Sequence, residues 1–298
     1  MKRCVVGTSL CVLAAAAAAQ DVTGRLHFSR DSDGLHESLA SVGYRGAQGW
    51  GLKAGSSRYS APAWRESGAL LAATYRQHDA TLQLDASLGA AQIADHSNVV
   101  AALDVLWPLA RGSSLGLSLE RDIVNSVAGI DQGIVFNSLA LVADHAFGER
   151  FNVGVSAGAT RYSDDNRRDL LRTRWNFELA PDWGLNAYLK TRSYRNSMPY
   201  RAQYFSPERL NEVSAGLSSR FAVADSVVMS LAADAGTQHT ESGAQRIWSY
   251  ALRLASPRGQ AVQWSLALEA STAAGAAQAS PASAYRYASA VAQLSLPF

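Results

Sequence analysis

Residues 285–298 read YRYASAVAQLSLPF. Counted back from Phe298, alternate positions are apolar or small: Leu296, Leu294, Ala292, Ala290 and Ala288, with the pattern broken only at Arg286. The positions between include Ser295, Gln293 and Ser289, with Val291 as the exception. A period of two is that of a strand with one apolar face. Soluble domains commonly fray into a polar tail. Here Phe298 is expected to close a wall strand at an interface, where aromatic rings are favoured.

The same period recurs along the chain. In ATLQLDASLGA, Leu82, Leu84, Ala86 and Leu88 lie on one side and Gln83, Asp85 and Ser87 on the other. In LRTRWNFELA, Leu171, Thr173, Trp175, Phe177 and Leu179 alternate with Arg172, Arg174, Asn176 and Glu178. AVQWSLALEA sets Val262, Trp264, Leu266 and Leu268 against Gln263, Ser265 and Glu269. A helix would need apolar residues at a 3.6 spacing, which these stretches lack. Sixteen such strands can be marked, from 22–30 to 285–298. Many are long enough to span a bilayer, for which about ten tilted residues suffice.

The connections fall into two alternating sets. One is tight and polar: RGAQG, RQHDA, ARGS, FGER, APDW, VADS, SPRGQ. The other is generally longer, with SVAGIDQG, RNSMPYRAQYFSPER and AAGAAQASPAS. Short turns at one end and longer loops at the other are the mark of an outer-membrane barrel. In hydrocarbon an unpaired backbone group costs several kcal/mol, so a spanning sheet must close on itself. The expected fold is therefore all-β: a transmembrane antiparallel barrel of the bacterial outer membrane, of about 16 strands, the last pairing with the first. A soluble sandwich would not account for the strand lengths, the loop parity and the aromatic terminus together. Trp50, Trp107, Trp175, Trp183, Trp248 and Trp264 are candidates for two aromatic girdles.

Composition agrees. MKRCVVGTSLCVLAAAAAAQ has a basic start at Lys2 and Arg3, an apolar run and small residues before Gln20. It reads as a signal peptide, residues 1–19, cleaved near Ala19 and leaving the barrel as 20–298. Leu10 before Cys11 argues against a lipoprotein site. Both cysteines, Cys4 and Cys11, leave with the leader, so no disulfide or Cys-ligated metal is expected. Without Lys2 and Arg3 the 27 basic residues become 25, matching 25 acidic ones, so nothing points to nucleic acid. Beyond the leader no run of about 18 apolar residues occurs, hence no transmembrane helix. The 48% hydrophobic content is spread evenly as alternation, and nothing marks a second domain.

If apolar side chains face lipid, their alternates face the lumen. The pore-lining candidates are then Asp85, Asp104, Glu120 and Asp144 on strands 5–8. On strands 10–14 they are Arg172, Arg174, Glu178, Tyr188, Lys190, Arg192, Glu212, Arg220 and Arg253. One wall is expected to be largely acidic and the opposite wall mostly basic. Such charges can simply pair and keep the interior wet, or they can form a conduit that handles a hydrated polymer.

Barrel enzymes need a compact acid, His and often Ser constellation. His27, His36, His78, His96, His145 and His239 fall mostly at strand ends or loops. Asp95, His96 and Ser97 are consecutive, so on a strand or turn they point different ways. YSDDNRRD (162–169) reads as a charged hairpin tip, and no metal-ligand spacing occurs. No enzyme, metal or cofactor is expected.

One segment carries a resemblance. WGLNAYLKTRSYRNSMPYRAQYFSPERLNEVSAGLSSRF (183–221) contains Tyr204–Phe205–Ser206–Pro207 ahead of a strand with NEVSAGL. This resembles the C-terminal barrels of exopolysaccharide-export outer-membrane proteins, the cellulose-secretion and poly-N-acetylglucosamine porins, whose barrels follow tetratricopeptide repeats. The match covers about forty residues. It implies a sixteen-stranded barrel, a polysaccharide cargo and a role in biofilm formation. This sequence departs from the family in carrying its own signal peptide and no helical repeats, which implies a separate periplasmic repeat protein as partner or a barrel put to another use. Pro207 cannot donate to a sheet ladder, and Ser206 before it is biased to extended geometry, so 196–208 should leave strand 11. The segment could fold into the mouth, with Tyr200, Tyr204 and Phe205 available to stack on sugar rings, or it could be a surface loop packed by its own aromatics. The expectation is a monomeric conduit in contact with outer-membrane lipid and inserted by the barrel assembly machinery, which would read Phe298. The alternatives are a non-transporting surface barrel (adhesin, phage receptor or structural protein) with a plugged lumen and, as a lesser one, a lipid- or peptide-modifying enzyme.

Overall fold

A computed structural model describes residues 19–110, 112–273 and 285–298; the expected leader lies outside these apart from Ala19. The strands are β1 (Ala19–Asp31), β2 (His36–Gly46), β3 (Trp50–Ala61), β4 (Trp64–His78), β5 (Gln83–Ile93) and β6 (His96–Ala110). They continue with β7 (Ser113–Ile123), β8 (Val135–Phe147), β9 (Phe151–Tyr162), β10 (Arg167–Ala180) and β11 (Leu185–Asn196). The last are β12 (Arg209–Ala224), β13 (Val227–Thr240), β14 (Gly243–Ala255), β15 (Gln263–Ser271) and β16 (Tyr287–Pro297). Each pairs with its neighbours in sequence, and β16 pairs antiparallel with β1, so the sheet is a closed barrel of sixteen strands. Val22 faces Leu296 and Phe28 faces Ala290 across the seam. Closure gives every strand a partner on both sides. Phe298 follows the last paired residue, Pro297, and is exposed.

Alternation holds its phase around the ring. The four register shifts, at Ala19/Asp21, Pro108/Ala110, Glu178/Ala180 and Ala222/Ala224, all fall at the end of the barrel that carries the tight turns. A bulge placed at a rim spends its extra residue where the ladder is ending, so it reverses no strand. Pro108, which cannot donate to a ladder, sits at one of them. The turns depend on glycine where φ is positive. Gly49 has φ +85°, and a Cβ there would lie 2.2 Å from Arg76 O.

The turn end is as expected, with short connections such as 47–49, 148–150 and 225–226. The other end is mixed. Among the described connections only 124–134 and 197–208 are long there, while 62–63, 94–95 and 241–242 are as tight as any turn; the expected AAGAAQASPAS loop lies outside the described residues apart from Ala273. The first long loop holds a helix that alternation could not reveal, α1 (Val127–Asp131). Its N-cap is Ser126, whose Oγ accepts from Gly129 N at 3.0 Å.

Outward positions form an apolar band with no protein cover. Leu71 is 61% exposed and Leu88 62%. A band of this kind is stable only against lipid tails. Aromatic rings rim the turn end, where Trp50 meets Tyr75 at 4.7 Å, Phe147 meets Phe151 at 5.7 Å and Phe151 meets Trp175 at 6.2 Å. At the loop end the outward pair Trp248–Tyr250, at 5.1 Å, stands with few companions. Of the two expected girdles, the one at the turn end is full and the one at the loop end is sparse.

Candidate functional site

Opposite the lipid band, register fixes one continuous inward face. Cavities in the lumen are bordered by Arg25, Lys53, Asp85, Asp104 and Glu120 on one side, and by Asp144, Arg172, Arg174, Lys190, Arg192 and Glu212 on another. Glu178 is in register with Asn186, two steps beyond Tyr188. Arg220 is in register with Ser230, which in turn faces Arg253. All thirteen residues singled out from sequence thus share the inward parity. Sequence reasoning passed over others of the same parity, among them Arg25, Lys53, Arg76, Asp122, Arg168 and Asp234. The signal that could have found them is the alternation itself, carried through strands whose apolar face is rich in alanine and glycine.

The two charged arcs are not opposite. The acids of β5–β8 and the bases of β10–β12 are centred four to five strands apart in a ring of sixteen, about a quarter turn. Several lumen charges are paired. Arg76 Nε donates to Asp85 at 2.5 Å, and His78 Nε2 lies 2.7 Å from the same carboxylate. Lys190 Nζ meets Asp234 at 2.8 Å, and Arg192 meets Glu212 at 2.6 Å. Arg45 pairs with Asp21. Tyrosines interleave with the cations on β9–β11. Arg168 lies 4.3 Å from the Tyr194 ring centre and Arg174 lies 4.2 Å from that of Tyr188, whose hydroxyl donates to Asp234 at 2.9 Å.

The mouth is narrowed by two inward-folded loops. On the β2–β8 side, Ile130 of α1 packs with Leu35, Tyr59, Ile93, Ile123 and Val135. Asn125 Nδ2 donates to Glu37 at 2.9 Å, and His96 Nε2 lies 2.9 Å from Asp131 O. On the β9–β12 side, the 197–208 loop is fastened by Tyr204, which is fully buried and stacked on Tyr162 at 4.4 Å. The Tyr204 hydroxyl donates to Asp164 Oδ1 at 3.0 Å and accepts from Asn166 Nδ2 at 3.0 Å. Arg168 donates to Phe205 O at 2.6 Å, and Asn196 Nδ2 to Pro207 O at 2.6 Å. The loops then meet each other: Ser126 Oγ donates to Gln203 O, and Gln203 Nε2 to Gln132 Oε1 at 2.9 Å.

These contacts decide between packing and stacking for two of the three mouth aromatics. Tyr204 and Phe205 are committed to packing and cannot stack on a sugar while the loop holds this position. Tyr200 is exposed and borders a cleft of about 290 Å³. The hairpin tip at 162–169 is likewise more than a solvated turn, because Asp164 receives both the Tyr204 hydroxyl and Arg201, whose Nε lies 3.3 Å away. Burial, with Asp164 alongside, pushes the Tyr204 hydroxyl well above the usual tyrosine range, so it stays a donor.

No family model and no curated protein matches the chain. Among solved structures, a bacterial polysaccharide outer membrane secretin superposes with a TM-score of 0.73 at 14% identity, over 93% of this chain and 98% of its own. CdiB from Acinetobacter baumannii superposes with a TM-score of 0.51 at 12% identity, over 92% of this chain and 60% of its own. At such identities the likeness concerns fold. The chain is a porin-like barrel of the bacterial outer membrane, and its lipid-facing band agrees with that setting.

Proposed function

We propose that the barrel is a conduit for a hydrated polysaccharide, serving its export or assembly at the cell surface. The observation that supports this best is the interleaved column of cations and tyrosines on β9–β11. It runs along the lumen wall from Arg168 near the loop end to Tyr188 nearer the turn end. Tyr188, Tyr194 and Arg168 are buried and brace the wall, while Arg172 and Arg174 are exposed to the lumen, where they suit the hydroxyls of a sugar chain. Barrels of sixteen strands can enclose an aqueous channel. The secretin with which the chain superposes is described as a polysaccharide protein, which points in the same direction. The reading assigns the barrel no catalytic step.

The joined loops at the mouth favour a second reading, a surface barrel whose lumen stays plugged. Planar-bilayer recording separates the two. A conduit gives unitary conductance steps that grow when residues 198–206 are replaced by a short Gly-Ser linker. A folded barrel that stays silent in both forms refutes the conduit and supports the plugged one.

A further inference from the structure

We infer that the β10–β11 wall of the lumen is a binding site for the carboxylates of an anionic sugar chain. The inference deepens the conduit reading by naming its cargo, and it rests on that reading for the cargo's passage but not for its binding. Register sets Arg172 directly opposite Arg192, and Arg174 directly opposite Lys190. Like charges facing each other across a ladder are destabilising. Two of the four cations are answered, Arg192 by Glu212 and Lys190 by Asp234. Arg172 has no hydrogen bond and no ion pair among the described residues. Arg174 donates to Asn176 Oδ1 at 2.8 Å and stacks on Tyr188, and has no carboxylate partner among the described residues. Residues 1–18, 111 and 274–284 contain no Asp or Glu, and Glu212, whose charge reaches Arg172, is already paired with Arg192.

The four cations border one cavity of about 560 Å³, together with Asp144 and Glu212. Tyr285 and Tyr287 bound it from the far side, so it spans the lumen. The volume lies within the roughly 300–1,000 Å³ of small-molecule sites. Asp144 accepts from Ser114 Oγ at 3.4 Å and pairs with neither arginine. With Asp234 behind Lys190 counted, four positive charges meet three negative ones, and an incoming anion supplies what the wall lacks. A guanidinium fork matches a carboxylate with two parallel hydrogen bonds. The Tyr188 stack holds the Arg174 fork in one plane before the ligand arrives.

The test uses the refolded full barrel, with tri-galacturonic acid as probe and maltotriose and chitotriose as neutral and cationic counterparts. Equilibrium dialysis at 0.1 M salt should show binding of the uronate alone. Arg172→Gln with Arg174→Gln should weaken it tenfold or more, while Arg258→Gln, in an exposed turn, should not change it. Raising salt to 1 M should weaken binding in the parent barrel, because the screening length falls from about 10 Å to about 3 Å. Arg172→Gln should melt at or above the parent temperature, since it relieves a like-charge pair. Three results overturn the inference: no uronate binding, binding undiminished in the double variant, or unfolding caused by Arg172→Gln, which would make the arginine structural. An electrically silent barrel that still binds uronate sinks the conduit and keeps the site. A conducting barrel indifferent to uronate does the reverse.

Discussion

Tyr204 holds the 197–208 loop in the mouth, and its removal should open the barrel. The side chain is fully buried, and its ring lies 4.4 Å from that of Tyr162 at an interplanar angle of 17°. Truncating a buried aromatic to alanine costs about 3–5 kcal/mol. The hydroxyl serves Asp164 and Asn166, and losing it alone leaves a carboxylate acceptor short of a donor, about 1.5–3 kcal/mol. Arg168 to Phe205 O and Asn196 to Pro207 O remain in either variant, so the barrel wall should survive and only the loop should loosen. A loss of about 3 kcal/mol multiplies the population of the released loop roughly a hundredfold. Trypsin at Arg201 reports release, because the loop must leave the mouth to enter the protease, and planar-bilayer recording reports the opening. Tyr204→Ala should be cut much faster than the parent and conduct more, with Tyr204→Phe between them. If Tyr204→Ala is as resistant at Arg201 as the parent and its conductance is unchanged, Tyr204 does not hold the loop and the mouth is closed by something else.

Glu241 grips the exit of the same loop, accepting from Glu208 N at 3.0 Å and Arg209 N at 3.2 Å. Partial burial works to raise its pKa, but these backbone donors prevail and hold the carboxyl below its ordinary 4.5. A depressed carboxylate contributes stability above its unfolded pKa and loses it as pH falls through the folded one. Hydrogen exchange at residues 208 and 209, corrected for intrinsic rate, should show protection at neutral pH that fades below about pH 4.5, and Glu241→Gln should show the loss at neutral pH. Leu88→Arg places a charge on the lipid face in mid-strand and should cost about 2–4 kcal/mol of insertion, seen as loss of the heat-modifiable folded band. Replacing Asp85, Asp104 and Glu120 together by Asn or Gln should leave that band in place and shift the reversal potential toward anions, less so at 1 M salt; loss of folding instead would mean that these acids hold the wall together.

The barrel was legible in sequence because period-two alternation is a local signal that repeats in every strand, and Leu82, Leu84, Ala86 and Leu88 declare it without knowledge of any partner. The inward parity of the charged residues was legible for the same reason, and it held because the register shifts lie at the turn rim. Three things were not legible. The arcs' true separation depends on closure, since β5–β8 and β10–β12 look far apart along a chain but lie about a quarter turn apart on a ring of sixteen. The fate of Tyr204 and Phe205 depends on Tyr162, Asn166 and Arg168, which are contacts between loops and strands that no alternation encodes. The helix α1 is five residues long, too short to show a 3.6 period, and only its Ser126 cap could have hinted at it.

The two arcs also differ in how their like-charge neighbours are satisfied, and this bears on how a charged polymer would travel. Asp85 faces Asp104 across β5–β6, just as Arg172 faces Arg192 across β10–β11. Asp85 is answered inside the wall by both Arg76 and His78. Arg172 has no hydrogen bond or ion pair among the described residues, and the one wall carboxylate whose charge reaches it, Glu212, is already paired with Arg192. The β10–β11 wall is thus the stronger attractor for an anion, while Asp104 and Glu120 repel one from the neighbouring arc. On the proposed function, a uronate chain would be held to one wall beneath the 197–208 loop while sliding along the axis with little change in electrostatic energy. Holding without trapping requires attraction at more than one height, and on that reading Arg172 and Arg174, both exposed, sit one above the other on β10, below Arg168, which is buried and fastens the loop.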